Sequence, residues 1–331
     1  MSSGEYSTMA PRRGRAPEAA SSTVKTLAGR YALVRLLKSG QGVETLLAHD
    51  LVDGEQVVVK TTVADSFSTA ARMRLEHEAA VLRRLTSPCL APLLDHGHDG
   101  ELLYLVVPFI HGITLQARLA RGPLNVRDAL TVGIALLGAL HEVHGHGVLH
   151  RDIKPANIMV DEATPLAHAQ LIDFGLARSA RLDASIRDQP VGTARYLSPE
   201  GAGLLDHDVD ERSDLYSAGV VLFECLAGRT PFLGETVGEV LRQHLTVQPT
   251  ELRSLGLAVP RALDEVLQRL LRKDPRDRYQ SADAAVADLQ SIAEDAKDRV
   301  DQGRGAQGIV DRNLPAAVKK LEAERKAPEG K

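Results

Sequence analysis

The stretch His150-Arg151-Asp152-Ile153-Lys154-Pro155-Ala156-Asn157, followed by Asp173-Phe174-Gly175, gathers residue types suited to handling a highly anionic group. Moving a phosphoryl group needs little covalent help from a protein; it needs positioning and neutralisation of charge. Mg²⁺ takes hard oxygen ligands, usually one or two carboxylates together with phosphate oxygens. Asp173 and Asn157 can supply such oxygens. Asp152 is a separate carboxylate that can orient an attacking hydroxyl and accept its proton, and Lys154 can face the phosphate in transfer. A lone aspartate would read as a loop or capping residue; the octet with its downstream Asp-Phe-Gly is far more specific.

A second cation comes from Val57-Val58-Val59-Lys60. Strand alternation puts Lys60 on the face of Val58. Leu75, Glu78, Leu82 and Leu85 recur at helical spacing, so Glu78 is a carboxylate within an apolar stripe. Burying that charge costs free energy unless it is paired. Lys60 is the obvious counter-charge; the competing reading sends Glu78 out to solvent.

Taken together, these motifs resemble the eukaryotic-type (Hanks-type) Ser/Thr protein kinases, in a bacterial-like form, over about residues 31–292. The resemblance implies an α+β, bilobal fold, with a small antiparallel-sheet lobe at 31–110 and a larger helical lobe at 111–292. It implies ATP and Mg²⁺ as cofactors and proteins as substrates. Lys60 would reach the α- and β-phosphates, with Asp152 as base or orienter and Asn157 and Asp173 as metal ligands. Adenine would lie against Val107-Pro108-Phe109-Ile110, donating to the Pro108 carbonyl and accepting from the Ile110 N–H. Proline keeps its carbonyl, so the unusual residue at 108 is compatible with that task. Gly192-Thr193-Ala194-Arg195-Tyr196-Leu197-Ser198-Pro199-Glu200 resembles the substrate-docking end of the family's activation segment. There Thr193 would bridge Asp152 and Lys154, Glu200 would pair with Arg278, and Asp214 would anchor the catalytic-loop backbone. Lys154, two residues after Asp152, favours Ser/Thr over Tyr acceptors by the same resemblance.

One segment departs from the family. The glycine-rich turn G-x-G-x-x-G aligns with Lys38-Ser39-Gly40-Gln41-Gly42-Val43. Gly40 is kept, Lys38 and Val43 replace the outer glycines, and Gly42 moves the flexible point one residue earlier. Glycine matters there because backbone N–H groups must approach phosphate closely. The departure keeps open an alternative, a pseudokinase acting as a binding module, although Lys60, Glu78, Asp152, Asn157 and Asp173 are all present. A small-molecule phosphotransferase of related fold is disfavoured by the docking segment. In the activation segment, either Ser185 is a phosphosite, or Asp188 partly replaces a phosphate, or the loop, which also holds Ser179 and Asp183, is simply solvated. His141, His144, His146 and His150 crowd together, but their spacing is not that of a His-Glu-x-x-His zinc helix.

The elements that must position these residues follow from pattern. Strand-like runs begin at Tyr31, Glu44 and Gln56, with a hairpin signal at Asp53-Gly54. A helix is expected over 69–85, with strands near Leu93 and over 102–107. Asn125 and Asp128 mark a helix start running to Gly145, and residues 214–227, apolar nearly all round, predict a buried central helix. Residues 1–29, rich in Ser, Ala, Pro and Arg, read as a disordered leader rather than a signal peptide. Residues 293–331 read as a linker or tail, with a charged helix at 315–326. A net charge of −4 gives no electrostatic reason to expect nucleic acid. No apolar run approaches the length of a membrane helix. Cys89 and Cys225, both in apolar surroundings, suggest free thiols in the cytoplasm. Fused or partner sensor and effector modules are expected of kinases of this sort.

Overall fold

The computed structural model describes residues 25–40, 42–63, 69–173, 191–205 and 207–301. Phe174, Gly175, Ser179, Asp183, Ser185, Asp188 and the helix expected at 315–326 lie outside them.

The small lobe is a six-stranded antiparallel sheet in the order β1-β2-β3-β4-β6-β5. Its strands are β1 Thr26–Leu27, β2 Tyr31–Gly40, β3 Val43–Asp50, β4 Gln56–Val63, β5 Asp95–Asp99 and β6 Leu102–Pro108. In β4, Val57 and Val59 face one way, into a cluster with Leu27, Tyr31, Tyr104 and Val106. Val58 packs against the main core on the other face, which by alternation is the face of Lys60. Helix α1 (Thr69–Leu82) covers that second face, burying Leu75, Glu78 and Leu82.

Three boundaries of the small lobe differ from expectation. The leader was expected to run through residue 29, but Leu27 is 2% exposed and pairs with Tyr31. Ala28 and Gly29, at φ 51° and 62°, turn the chain tightly enough to add β1 to the sheet. The strand expected near Leu93 lies at Asp95–Asp99, whose composition is not strand-like. Pairing with β6 imposes it, and Gly97 fits because a Cβ there would meet the Tyr104 hydroxyl at 2.9 Å. Helix α1 stops at Leu82, short of Leu85, which is nonetheless buried.

In the large lobe, α2 (Leu115–Leu119) precedes α3 (Val126–Gly145), whose first turn is capped by the Asn125 side chain accepting from the Asp128 N–H. A three-stranded sheet joins β7 (Ile113–Thr114), β8 (Ile158–Val160) and β9 (Ala169–Leu171). The one-turn α4 (Val191–Ala194) leads toward α5 (Glu211–Ala227), which is buried along most of its length. Asp210 caps α5, and Gly228, at φ 69°, ends it in the left-handed region. Helices α6 (Val237–Thr246), α7 (Arg261–Leu270) and α8 (Ala282–Asp301) complete the lobe. The lobe was expected to end at 292, yet α8 runs on to Asp301. Packing fades at Ile292 and Ala293, but the residues that follow lack Gly or Pro and keep the helix going. Among the described residues no helix is long and apolar enough to cross a membrane.

Candidate active site

Lys60 projects from β4 and Glu78 from α1, and their side chains meet at 2.6 Å. Both residues are nearly buried, at 8% and 6% exposure. The Lys60 ammonium also donates to Asp173 at 2.7 Å. Burial alone would discharge this lysine, but Glu78 and Asp173 reverse the effect and push its pKa above the ordinary value. Burial likewise works to raise the Asp173 carboxyl, yet Lys60 and, less strongly, Lys38 hold it far below the usual range. Lys38, written off above as a lost glycine, lies 3.4 Å from the second Asp173 oxygen.

Topology explains why Asn157 and Asp173 come together. Asn157 precedes β8 and Asp173 follows Ile172 at the end of β9, and these strands are antiparallel neighbours. The Ile172 N–H donates to the Asn157 carbonyl at 2.8 Å, tying the two ends. Asp173 takes φ 65°, a backbone state rare for a residue with a side chain. The Asn157 amide donates to both the backbone carbonyl and a carboxylate oxygen of Asp152, each at 2.9 Å. Lys154 donates to the same Asp152 carboxylate at 2.8 and 2.9 Å.

The loop carrying Asp152 hangs from the buried helix α5. Asp214 accepts the backbone N–H groups of His150 and Arg151, each at 2.8 Å, and contacts His144 Nε2 at 2.9 Å. Burial would raise the Asp214 carboxyl; the bond to His144, the His144 and His150 imidazoles and the Arg151 N–H together hold it below the ordinary value instead. Arg151 takes φ 62°, so the loop turns just before Asp152.

Residues 31–289 match the protein kinase domain family. The chain belongs to the protein kinase family. It is 31% identical to the serine/threonine-protein kinase PrkC of Bacillus subtilis over 285 residues, 85% of this chain and 43% of that protein. Against the serine/threonine-protein kinase PknB of Mycolicibacterium smegmatis, identity is 35% over 281 residues, 82% of this chain and 44% of that protein. The solved kinase domain of M. tuberculosis PknI is similar at a TM-score of 0.60 and 26% identity, covering 83% of this chain and 100% of that one. The chain thus spans less than half the length of these curated relatives.

Residues 196–200, in the segment expected to dock substrate, are tied to α5 by side chains. Tyr196 donates to Glu224 at 2.6 Å, and Ser217 donates to the Tyr196 carbonyl at 2.7 Å. Glu200 accepts from Arg278 at 2.6 and 2.8 Å and from Ser213 at 2.7 Å. The bonds expected from the Thr193 hydroxyl to Asp152 and Lys154 are not formed. Thr193 sits in the one-turn α4, and the Lys154 ammonium instead reaches the Asp152 carboxylate directly. In the connector, β6 ends at Pro108 opposite Val57, and the Phe109 N–H donates to the Gln56 carbonyl at 3.1 Å. Ile110 packs against the main core. At the loop tip, Gly40 pairs with Val43, while Gly42 takes φ 77° and its carbonyl accepts from Thr62. Its backbone freedom is used where the tip turns.

Two contacts were missed in the sequence. His144, grouped there with a zinc decoy, supports Asp214; its neighbours go elsewhere, His146 to the Glu142 carbonyl and His141 toward Asp283. The approach of Lys38 to Asp173 had no motif to announce it.

Proposed function

We propose that this kinase transfers the γ-phosphoryl group of ATP to Ser or Thr hydroxyls of proteins in the cytoplasm, within a longer protein or beside a sensor or effector partner. The observation that carries the reading is the meeting of Lys60, Glu78 and Asp173, drawn from β4, α1 and the end of β9.

The residues fit Mg²⁺ and a nucleotide chemically. Asp173 and Asn157 offer hard oxygens, and Asp173 is held ionised and already binds two ammonium groups, as a metal-binding carboxylate must be able to. Bound Mg²⁺ would supply neutralisation of the phosphate charge. Lys60 neutralises the α- and β-phosphates, and Glu78 keeps that ammonium charged and aimed. Pro108 and Ile110 offer backbone groups to the adenine edge, and Gly40 and Gly42 keep the loop slim over the phosphates. Asp152, aimed by Asn157, orients the acceptor hydroxyl and takes its proton at a carboxylate oxygen. Lys154 leaves Asp152 for the phosphate in transfer, and Thr193 closes on this pair when an acceptor docks. Free thiols at Cys89 and Cys225 agree with a reducing compartment.

Transfer from labelled ATP to a generic acceptor protein, with and without Mg²⁺, tests the reading. Phosphate should appear on Ser or Thr only with Mg²⁺ and should vanish with Lys60→Met. Asp152→Asn should lower the rate by about 10²–10⁴. A variant at Asp152 within twofold of the parent would remove that residue from its assigned role.

A further inference from the structure

Strand β2 carries its oddity in its register. Leu36 pairs with Leu46, but the next pair is Lys38 with Thr45, so Leu37 is an extra residue bulged out of the ladder. Without that bulge, Lys38 would stand opposite Glu44, and its side chain would leave on the face of Val59. With it, Lys38, Thr45 and Lys60 form one cross-strand row, since Thr45 also pairs with Lys60. Directly opposed residues share a face of the sheet. The bulge therefore sends Lys38 to the side of Lys60, and both ammonium groups arrive at Asp173, one on each oxygen.

The two contacts differ in kind. Lys60 is buried and bonds at 2.7 Å, whereas the Lys38 side chain is 66% exposed and stands at 3.4 Å. An exposed pair of that length contributes little and is easily exchanged. Its place on the chain is the first position of the phosphate-covering turn, where a glycine would offer only backbone. We propose that Lys38 is a second phosphate-binding cation, which exchanges its contact with Asp173 for the phosphate tail of a bound nucleotide. It replaces by side-chain charge the contacts that the missing glycine would have given. A carboxylate bound to metal has less charge to offer an ammonium, and a triphosphate beside it has more, so the exchange runs in one direction.

The proposal rests on the reading of the cleft as a nucleotide site, and one experiment separates the two. Equilibrium binding of ATP and of adenosine is measured on the full chain, as wild type, Lys38→Met and Lys38→Arg, each in Mg²⁺ and in EDTA. Lys38 is exposed, so the variants should melt with the wild type. In EDTA, Lys38→Met should weaken ATP about five- to thirtyfold, leave adenosine unchanged, and flatten the salt dependence of ATP binding. Lys38→Arg should restore most of the loss. Equal ATP affinity of wild type and Lys38→Met in EDTA overturns the proposal while leaving the cleft intact. So does a wild type that takes ATP only with Mg²⁺, and so does a Lys38→Met variant that binds ATP more tightly with Mg²⁺, which would make Lys38 a mere competitor of the metal. Wild type that takes no ATP in either condition removes the reading of the cleft and this proposal with it.

Discussion

Two buried ion clusters in this chain are built to different degrees of closure. In the large lobe, Arg278 gives two bonds to Glu200 and further bonds to the carbonyls of Arg212, Arg272 and Lys273, and both charged side chains are 0% exposed. Burial works to raise the Glu200 carboxyl, but the Arg278 guanidinium, the Ser213 hydroxyl and a backbone N–H together hold it below the ordinary value. Between the lobes, Lys60 is held by Glu78 and Asp173, but the Asp173 side chain keeps 32% exposure and, among the described residues, its outer oxygen holds one long contact, to Lys38. A cluster whose donors are all engaged and whose water is gone has nothing left to offer a ligand. A cluster with an open carboxylate can change partners at small cost. The first ties α5 to the segment around Glu200; the second, on the function proposed above, is where a charged ligand would bind.

The comparison breaks most easily at Arg278. Arg278→Met leaves the Glu200 carboxylate buried without its guanidinium and should cost about 3–5 kcal/mol of stability. Denaturant unfolding reads this directly. A loss below about 1 kcal/mol would mean that the large-lobe cluster is no more structural than a surface pair.

Glu78→Gln sharpens the other side. The amide keeps the shape of Glu78 but withdraws its charge from Lys60, removing a charge-assisted bond worth about 1.5–3 kcal/mol. Because Lys60 retains Asp173, the loss should fall on ATP use, about 10- to 150-fold in kcat/KM, rather than on the unfolding midpoint. A variant with wild-type kinetics and a lowered midpoint would reverse the assignment of the two clusters.

How far each cluster was legible follows from what makes it. Glu78 could be read because a carboxylate at a helix-periodic apolar position has to find a cation, and Lys60 because strand alternation is local. Asp152, Asn157 and Asp173 could be read because the octet and its downstream Asp-Phe-Gly resemble a family motif, and the structure joins their loops through the Asn157 amide and the Ile172 N–H. Lys38 could not, since its face depends on a bulge at Leu37 that nothing in Leu36-Leu37-Lys38 requires. Strand β5 was misplaced for a similar reason: Asp95-His96-Gly97-His98-Asp99 is a strand only because β6 pairs with it. Strand β1 hid at the end of a polar leader, where one buried leucine, Leu27, decides the matter. Local chemistry reads from sequence; register and pairing do not.

The smallest expected effect concerns pH and tests whether the large-lobe cluster is closed to protons as well as to ligands. His244 is 0% exposed, with Nδ1 at 2.8 Å from the Tyr216 hydroxyl and its ring against Phe232. The Tyr216 ring also lies under the Arg278 guanidinium, at 4.8 Å, so His244 abuts the same structure. Burial, then the nearby Lys273 ammonium, lowers the His244 pKa to about 3, against a weaker opposing pull from the Arg195 backbone. The unfolded chain protonates this imidazole near its ordinary value of about 6.5, while the folded chain does so only near 3. Between those values the unfolded state binds the extra proton, so stability present above pH 6.5 is lost as pH falls. One proton corresponds to a slope of about 1.4 kcal/mol per pH unit. Carboxylates elsewhere add their own slopes, and His244→Gln removes this one alone. Urea unfolding at stepped pH should therefore give the variant a shallower acid limb than the wild type by about that amount, whatever its stability at pH 7. Parallel limbs would show that a proton enters the folded lobe freely, and that the contrast between a closed cluster and an open one is weaker than its exposures imply.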